Sequence, residues 1–139
     1  GKVVFCGFGE PTCALGVLTE VAAYLKSRGV MTRINTNGQS DLINGEAHTA
    51  RRLKGLIDTV NVSLNASTAE KYDDICRSVY GKKAFDAMLD FARDCVAEGI
   101  ATVMSVVDWI GEKEIEACRK VAESVGARFR VRVMVEGEN

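Results

Sequence analysis

Glu10 lies in the stretch Val3-Val4-Phe5-Cys6-Gly7-Phe8-Gly9-Glu10-Pro11-Thr12. An apolar run of strand length comes before it and a helical pattern starts at about Ala14, so the carboxylate belongs at the carboxyl end of a strand. Ligands of α/β folds gather at such ends. Gly7 and Gly9 let the backbone take positive φ and approach a ligand closely, Pro11 stiffens the exit, and Thr12 is placed to cap the next helix. A fixed carboxylate beside bare backbone carbonyls suits an ammonium group. The same residues also read as an ordinary strand-to-helix turn with a surface glutamate.

Two later strand ends carry polar pairs. Thr36 and Asn37 close a second strand and would share an edge with Glu10. Ser63 and Asn65 close a third, and strict alternation would point both side chains the same way. Arg77 falls at a helix end from which it could reach back over the strand mouths or face water. His48, the single histidine, stands among Thr49, Arg51 and Arg52 and reads as an exposed polar residue. The five cysteines, Cys6, Cys13, Cys76, Cys95 and Cys118, match no usual zinc, redox or iron-sulfur spacing. Cys95 and Cys118 lie on apolar helical stripes, where a thiol acts as a small hydrophobe. A reduced, cytoplasmic setting is the economical expectation.

The elements that position these residues alternate. After the opening strand, Leu15, Leu18, Val21, Ala22 and Leu25 mark a core-facing helix ended by Gly29. Val30 to Thr36 reads as a strand, followed at Asn37-Gly38 by a polar loop and a weakly patterned helical stretch over Asn44 to Gly55. Leu56 to Leu64 is a third strand. Ser67-Thr68-Ala69-Glu70 has the form of a capping box for a short helix running to about Cys76-Arg77. Phe85, Met88, Leu89, Ala92, Cys95 and Val96 stripe a longer helix closed by Gly99. A fourth strand over Ile100 to Val107 leads to a helix from Glu112 to Val125. In a fifth strand Phe129, Val131 and Val133 alternate with Arg128, Arg130 and Arg132. The tail from Glu136 to Asn139 has no evident structure.

This order predicts parallel strands joined by right-handed crossovers with helices outside, in one domain spanning residues 1–139. Five strands are too few for a closed eight-stranded barrel. With 47% hydrophobic residues, 27% charged residues and a net charge of -1, the chain has the profile of a soluble domain with a substantial core. No apolar run is long enough to span a membrane. Lys and Arg are spread among the helices, so nucleic acid is not a favoured partner. Walker and Gly-x-Gly-x-x-Gly spacings are absent, as is a serine, histidine and acid set.

Together the pieces resemble the radical S-adenosylmethionine (SAM) enzymes. Phe5-Cys6-Gly7-Phe8-Gly9-Glu10-Pro11-Thr12 resembles that family's Gly-Gly-Glu motif. Asn35-Thr36-Asn37-Gly38 and Val62-Ser63-Leu64-Asn65-Ala66 resemble the ends of its third and fourth strands. Tyr72-Asp73-Asp74-Ile75-Cys76-Arg77 and Phe129-Arg130-Val131-Arg132 are most similar to the subgroup of TatD-associated radical SAM proteins. The resemblance implies a partial parallel (β/α) barrel with a 4Fe-4S cluster and SAM at its carboxyl-terminal mouth, where SAM is reductively cleaved to an adenosyl radical. It assigns Gly7, Gly9 and Glu10 to the methionine ammonium, with Pro11 shaping the loop of that SAM site. Thr36, Ser63 and Asn65 would hold ribose and carboxylate, with Asn37 also in the SAM site, Arg77 would pair with the carboxylate, and Val106, with Val107 and Val133 or their backbone groups, would lie against adenine. The substrate, a small molecule or a peptide, carries no signature here.

The chain departs from that family in two ways. Its Cys-x3-Cys-x2-Cys cluster motif is missing, and Phe8 stands between the two glycines. The first strand, with the cluster loop and its helix, is therefore expected upstream of Gly1. The 139 residues alone are expected to be catalytically silent and to expose an apolar sheet edge that invites self-association. An alternative is a cluster-free module that binds a nucleotide or SAM without chemistry. A third reading, a barrel fragment whose glycine loop holds a phosphate, is opposed by the charge of Glu10.

Overall fold

The computed structural model describes residues 1–6 and 10–134. Gly7 and Gly9, expected in the ammonium site, lie outside them. Five strands, β1 (Lys2–Phe5), β2 (Met31–Thr36), β3 (Thr59–Ser63), β4 (Ala101–Val107) and β5 (Arg128–Arg132), form one sheet in the order β1-β2-β3-β4-β5, with every neighbouring pair parallel. The helices are α1 (Leu15–Ser27), α2 (Ser40–Asn44), α3 (Ala69–Cys76), α4 (Lys83–Ala97) and α5 (Glu112–Ser124), with short 3-10 turns at Pro11–Ala14, Thr49–Leu53 and Asp108–Ile110. A sequential parallel order with right-handed crossovers puts all helices on one face of the sheet, the arrangement of a partial β/α barrel. The expected fold class is thus the one observed. No helix among the described residues is long and apolar enough to cross a membrane.

The core fills the space between sheet and helices. Ile34, Val60, Val62 and Met104 point into it from the strands and are fully buried, against Leu53, Tyr72, Met88 and Phe91. Alternation sends the next residue of each strand to the other face, which no helix covers. Register aligns Val4 with Arg33, Asn35 with Asn61, Ser63 with Ser105, Ser105 with Arg130 and Val107 with Arg132 on that open face.

Several boundaries differ from the sequence reading. The third strand begins at Thr59 rather than Leu56, because the Leu53 carbonyl accepts from the amides of both Leu56 and Ile57 and holds them in a turn. Val21 is 40% exposed rather than inward. Thr12 does not cap α1, which starts after Ala14 with no side-chain cap; Thr12 is buried, and Glu10 caps the preceding 3-10 turn, its carboxylate accepting from the Thr12 amide. The α3 cap is Thr68, accepting from the Lys71 amide at 3.2 Å. Ser67 is occupied elsewhere, since its amide and hydroxyl both donate to Glu114 of α5, at 2.7 and 2.8 Å. The last strand stops at Arg132. Val133 is exposed, and beyond it the Met134 amide donates to Asp108.

Candidate functional site

Glu10 joins two strand ends. Its Oε2 accepts from the Thr12 amide at 3.0 Å, the Thr12 hydroxyl at 2.6 Å and the Thr36 hydroxyl at 2.6 Å, and its Oε1 accepts from the Asn37 amide at 2.7 Å. Charge-assisted bonds of this kind are among the stronger ones a protein makes, so the carboxylate is fixed in place. Oε2 is saturated by protein donors. Oε1 keeps one lone pair for a ligand.

Thr36, only 3% exposed, also accepts from the Gly38 amide at 3.1 Å, so its hydroxyl is engaged on both sides within the protein. It positions Glu10 and has little left for a ribose. Asn37 uses its carbonyl oxygen to accept from the Gln39 amide at 2.8 Å in a local turn, which leaves its side-chain NH2 for a ligand. Gly38 turns the chain at φ 76° directly above the core. A Cβ there would lie 2.7 Å from Met88 Cγ and 3.1 Å from Val62 Cγ1.

Beside this clasp a cleft of about 560 Å³ opens at the carboxyl edge, lined among others by Glu10, Asn37, Asn65, Tyr72 and Cys76. Its size falls in the usual range for small-molecule sites. Its wall is a relay: Gln39 donates to the Tyr72 hydroxyl at 3.0 Å, and Ser78 donates to Gln39 at 2.8 Å. Burial pushes the Tyr72 phenol up to about 12, against the opposing hydrogen bond from Gln39, so it stays a neutral O–H. The sequence alone assigns no role to Gln39 or Ser78, and Tyr72 enters there only within the stretch from Tyr72 to Arg77, with no role of its own.

The other expected residues separate. Ser63 and Asn65 do not act together: Ser63 is on the open face, whereas Asn65 turns left-handed at φ 65° past the strand end and donates to Cys76 Sγ at 3.4 Å in the cleft wall. Arg77 ends α3 in a left-handed conformation at φ 46°, exposed, outside the lining of the cleft. Val106 is 1% exposed, its side chain on the helix-covered face, so only its backbone could meet a ligand. Pro11 lines a separate groove of about 280 Å³ between β1 and α1, with Phe5, Cys6, Val17 and Val21. His48 is exposed and pairs with Asp94 at 2.8 Å, away from the cleft.

All five cysteines are free thiols. Among the described residues no three potential ligands gather to hold a metal, so the residues present do not fit an iron-sulfur cluster. They do fit an ammonium-bearing small molecule, through Oε1 of Glu10. Compared with known protein families and with characterised proteins, the chain matches none.

Proposed function

We propose that this chain is the SAM-binding part of a cytoplasmic radical SAM enzyme whose cluster is held by residues outside the present sequence. The observation that carries this reading is the clasped Glu10 carboxylate at the floor of the carboxyl-edge cleft, rigid and with one acceptor site left. On this reading Oε1 of Glu10 accepts from the methionine ammonium. Asn37 and Asn65 present amides to ribose or carboxylate, and the neutral Tyr72 hydroxyl lines the wall. SAM, when bound, would supply the hydrogen-abstracting group. The chain's own residues bind and orient it.

The outer side of the sheet is compatible with a preceding strand and helix. β1 is an edge strand, and the groove against α1 exposes Val17 and Val21, 62% and 40% accessible, beside Phe5. A further strand pairing with β1 would cover them and remove an open edge.

The test is SAM affinity by titration calorimetry in the full-length gene product. Glu10→Gln is expected to weaken binding by roughly 1 to 3 kcal/mol, the range for losing a charge-assisted hydrogen bond. An unchanged dissociation constant would remove Glu10 from the site. Anaerobic reconstitution with an iron assay separates the enzyme from its alternative: about four irons per chain favour the enzyme. SAM or nucleotide binding with no iron favours the cluster-free module.

A further inference from the structure

The open face of the sheet carries a second polar site, distinct from the carboxyl-edge cleft. A hollow of about 220 Å³ is lined by Val4, Arg33, Asn35, Asn61, Arg130 and Arg132. Three arginines line it and, among the described residues, no carboxylate does. None of the three arginines pairs with an acid among the described residues, although seven Lys or Arg side chains pair with carboxylates elsewhere in them. Arg33 is oriented by its Nε donating to Asn35 Oδ1 at 3.2 Å, which leaves its two terminal nitrogens to a ligand.

A second observation is independent of charge. Asn61 is 4% exposed and donates through Nδ2 to Ser105 Oγ at 3.2 Å. Its Oδ1 is buried without a hydrogen-bond partner, the only such side-chain atom among the described residues. Buried acceptors are seldom left unpaired, and one lining an arginine hollow calls for a donor from a ligand.

We infer that this hollow binds a small phosphate monoester that carries a hydroxyl or amine: the arginines take the phosphate and Asn61 Oδ1 accepts from the donor group. Three guanidiniums offer more donors than the two oxygens of one carboxylate can use, and match the three terminal oxygens of a phosphate. A nucleic acid fits less well, because the chain's net charge is -1 and the positive groups converge in a hollow instead of running along a track. The hollow lies on the inner face of the partial barrel, beneath the strand ends assigned to SAM. Its identification as the substrate site therefore rests on that proposal, while its capacity to bind phosphate does not.

The test uses the full-length gene product prepared without SAM or iron, so the two proposals fail separately. Glycerol 3-phosphate, methyl phosphate and a single-stranded oligonucleotide are titrated at low salt and followed by calorimetry. Glycerol 3-phosphate should bind several-fold more tightly than methyl phosphate. The double variant Arg130→Gln, Arg132→Gln, altered only at exposed positions, should weaken both at least tenfold. Asn61→Leu should erase the preference while methyl phosphate binding persists. No phosphate binding at 10 mM, or binding indifferent to the arginine changes, overturns the inference. So does an oligonucleotide that outcompetes glycerol 3-phosphate in an arginine-dependent way, which would make the face a nucleic-acid surface.

Discussion

The two faces of the sheet are built from the same five strands and differ in almost everything else. On the helix side, Ile34, Val60, Val62 and Met104 are fully buried and meet Leu53, Met88 and Phe91. On the open side the intervening positions are Arg33, Asn35, Asn61, Ser105, Arg130 and Arg132, with three arginines lining one hollow. A parity of two along each strand thus separates the residues that hold the fold together from those that can meet a ligand. If that division is real, truncations should be costly on one face and nearly free on the other. Phe91→Ala, on the helix side, is expected to lower the unfolding free energy by about 3 to 5 kcal/mol, seen as a fall in urea midpoint at constant slope. A loss under about 1 kcal/mol would mean that α4 does not close the core.

Gly38 sits where the two regimes meet, at the end of β2, beneath the Glu10 clasp and against Met88 and Val62. Gly38→Ala combines an unfavourable positive φ, roughly 1 to 2 kcal/mol, with crowding of a packed core, roughly 1 to 3 kcal/mol. The expected loss is about 2 to 4 kcal/mol by the same denaturation. Tolerance of alanine there would show that the β2 end can relax, and that Glu10 is held less tightly than its four hydrogen bonds imply.

Much of this architecture was legible in the residues, because period and punctuation are local. Leu15, Leu18 and Ala22 announced the inner side of α1, and Gly29, Gly99 and Gly126 follow three helices at positive φ. What was not legible depends on partners distant in sequence. Ser67 could have capped α3, but Glu114, 47 residues away, takes both its donors. Thr36 looked like a ligand contact, yet Glu10, 26 residues before it, claims its hydroxyl. Ser63 and Asn65 share a parity only while the strand continues, and it ends between them. The arginines of β5 were visible as an alternating row. Their meeting with Arg33 required the strand order and register.

Between the extremes lie two carboxylates that tie elements together, Asp58 joining α1 to β2 and Glu114 joining α5 to the start of α3. A hydrogen bond from Lys26, then the Thr32 amide, holds Asp58 below its ordinary 3.8. For Glu114 burial alone would raise the value, but Lys71 and Ser67 more than offset it and hold it below 4.5. A carboxyl depressed in the folded state contributes stability that is complete above its unfolded value and is lost as pH falls through the folded one. Stability should therefore be flat near neutrality and decline on acidification from about pH 5 downward. Replacing both residues, by Asp58→Asn and Glu114→Gln, should make that acid limb shallower in melting curves taken from pH 7 to 3. An unaltered limb would assign the acid sensitivity to other groups.

The smallest effect is the one that most sharpens the contrast between the faces. Arg130 and Arg132 are exposed and line one hollow with Arg33, and among the described residues they make no ion pair and no carboxylate lines that hollow. Neutralising them removes mutual repulsion and deletes no packing of the core. Arg130→Gln with Arg132→Gln should leave the unfolding free energy within about 0.5 kcal/mol of the parent, the usual span for surface changes, with any shift toward greater stability. Added salt should narrow the difference further, since screening already relieves the repulsion in the parent. A loss above about 1.5 kcal/mol would identify the arginines as supports for β5 through their aliphatic stems. Near-neutral stability together with lost phosphate binding would mean that the sheet keeps these charges for a ligand and its fold rests on the other face.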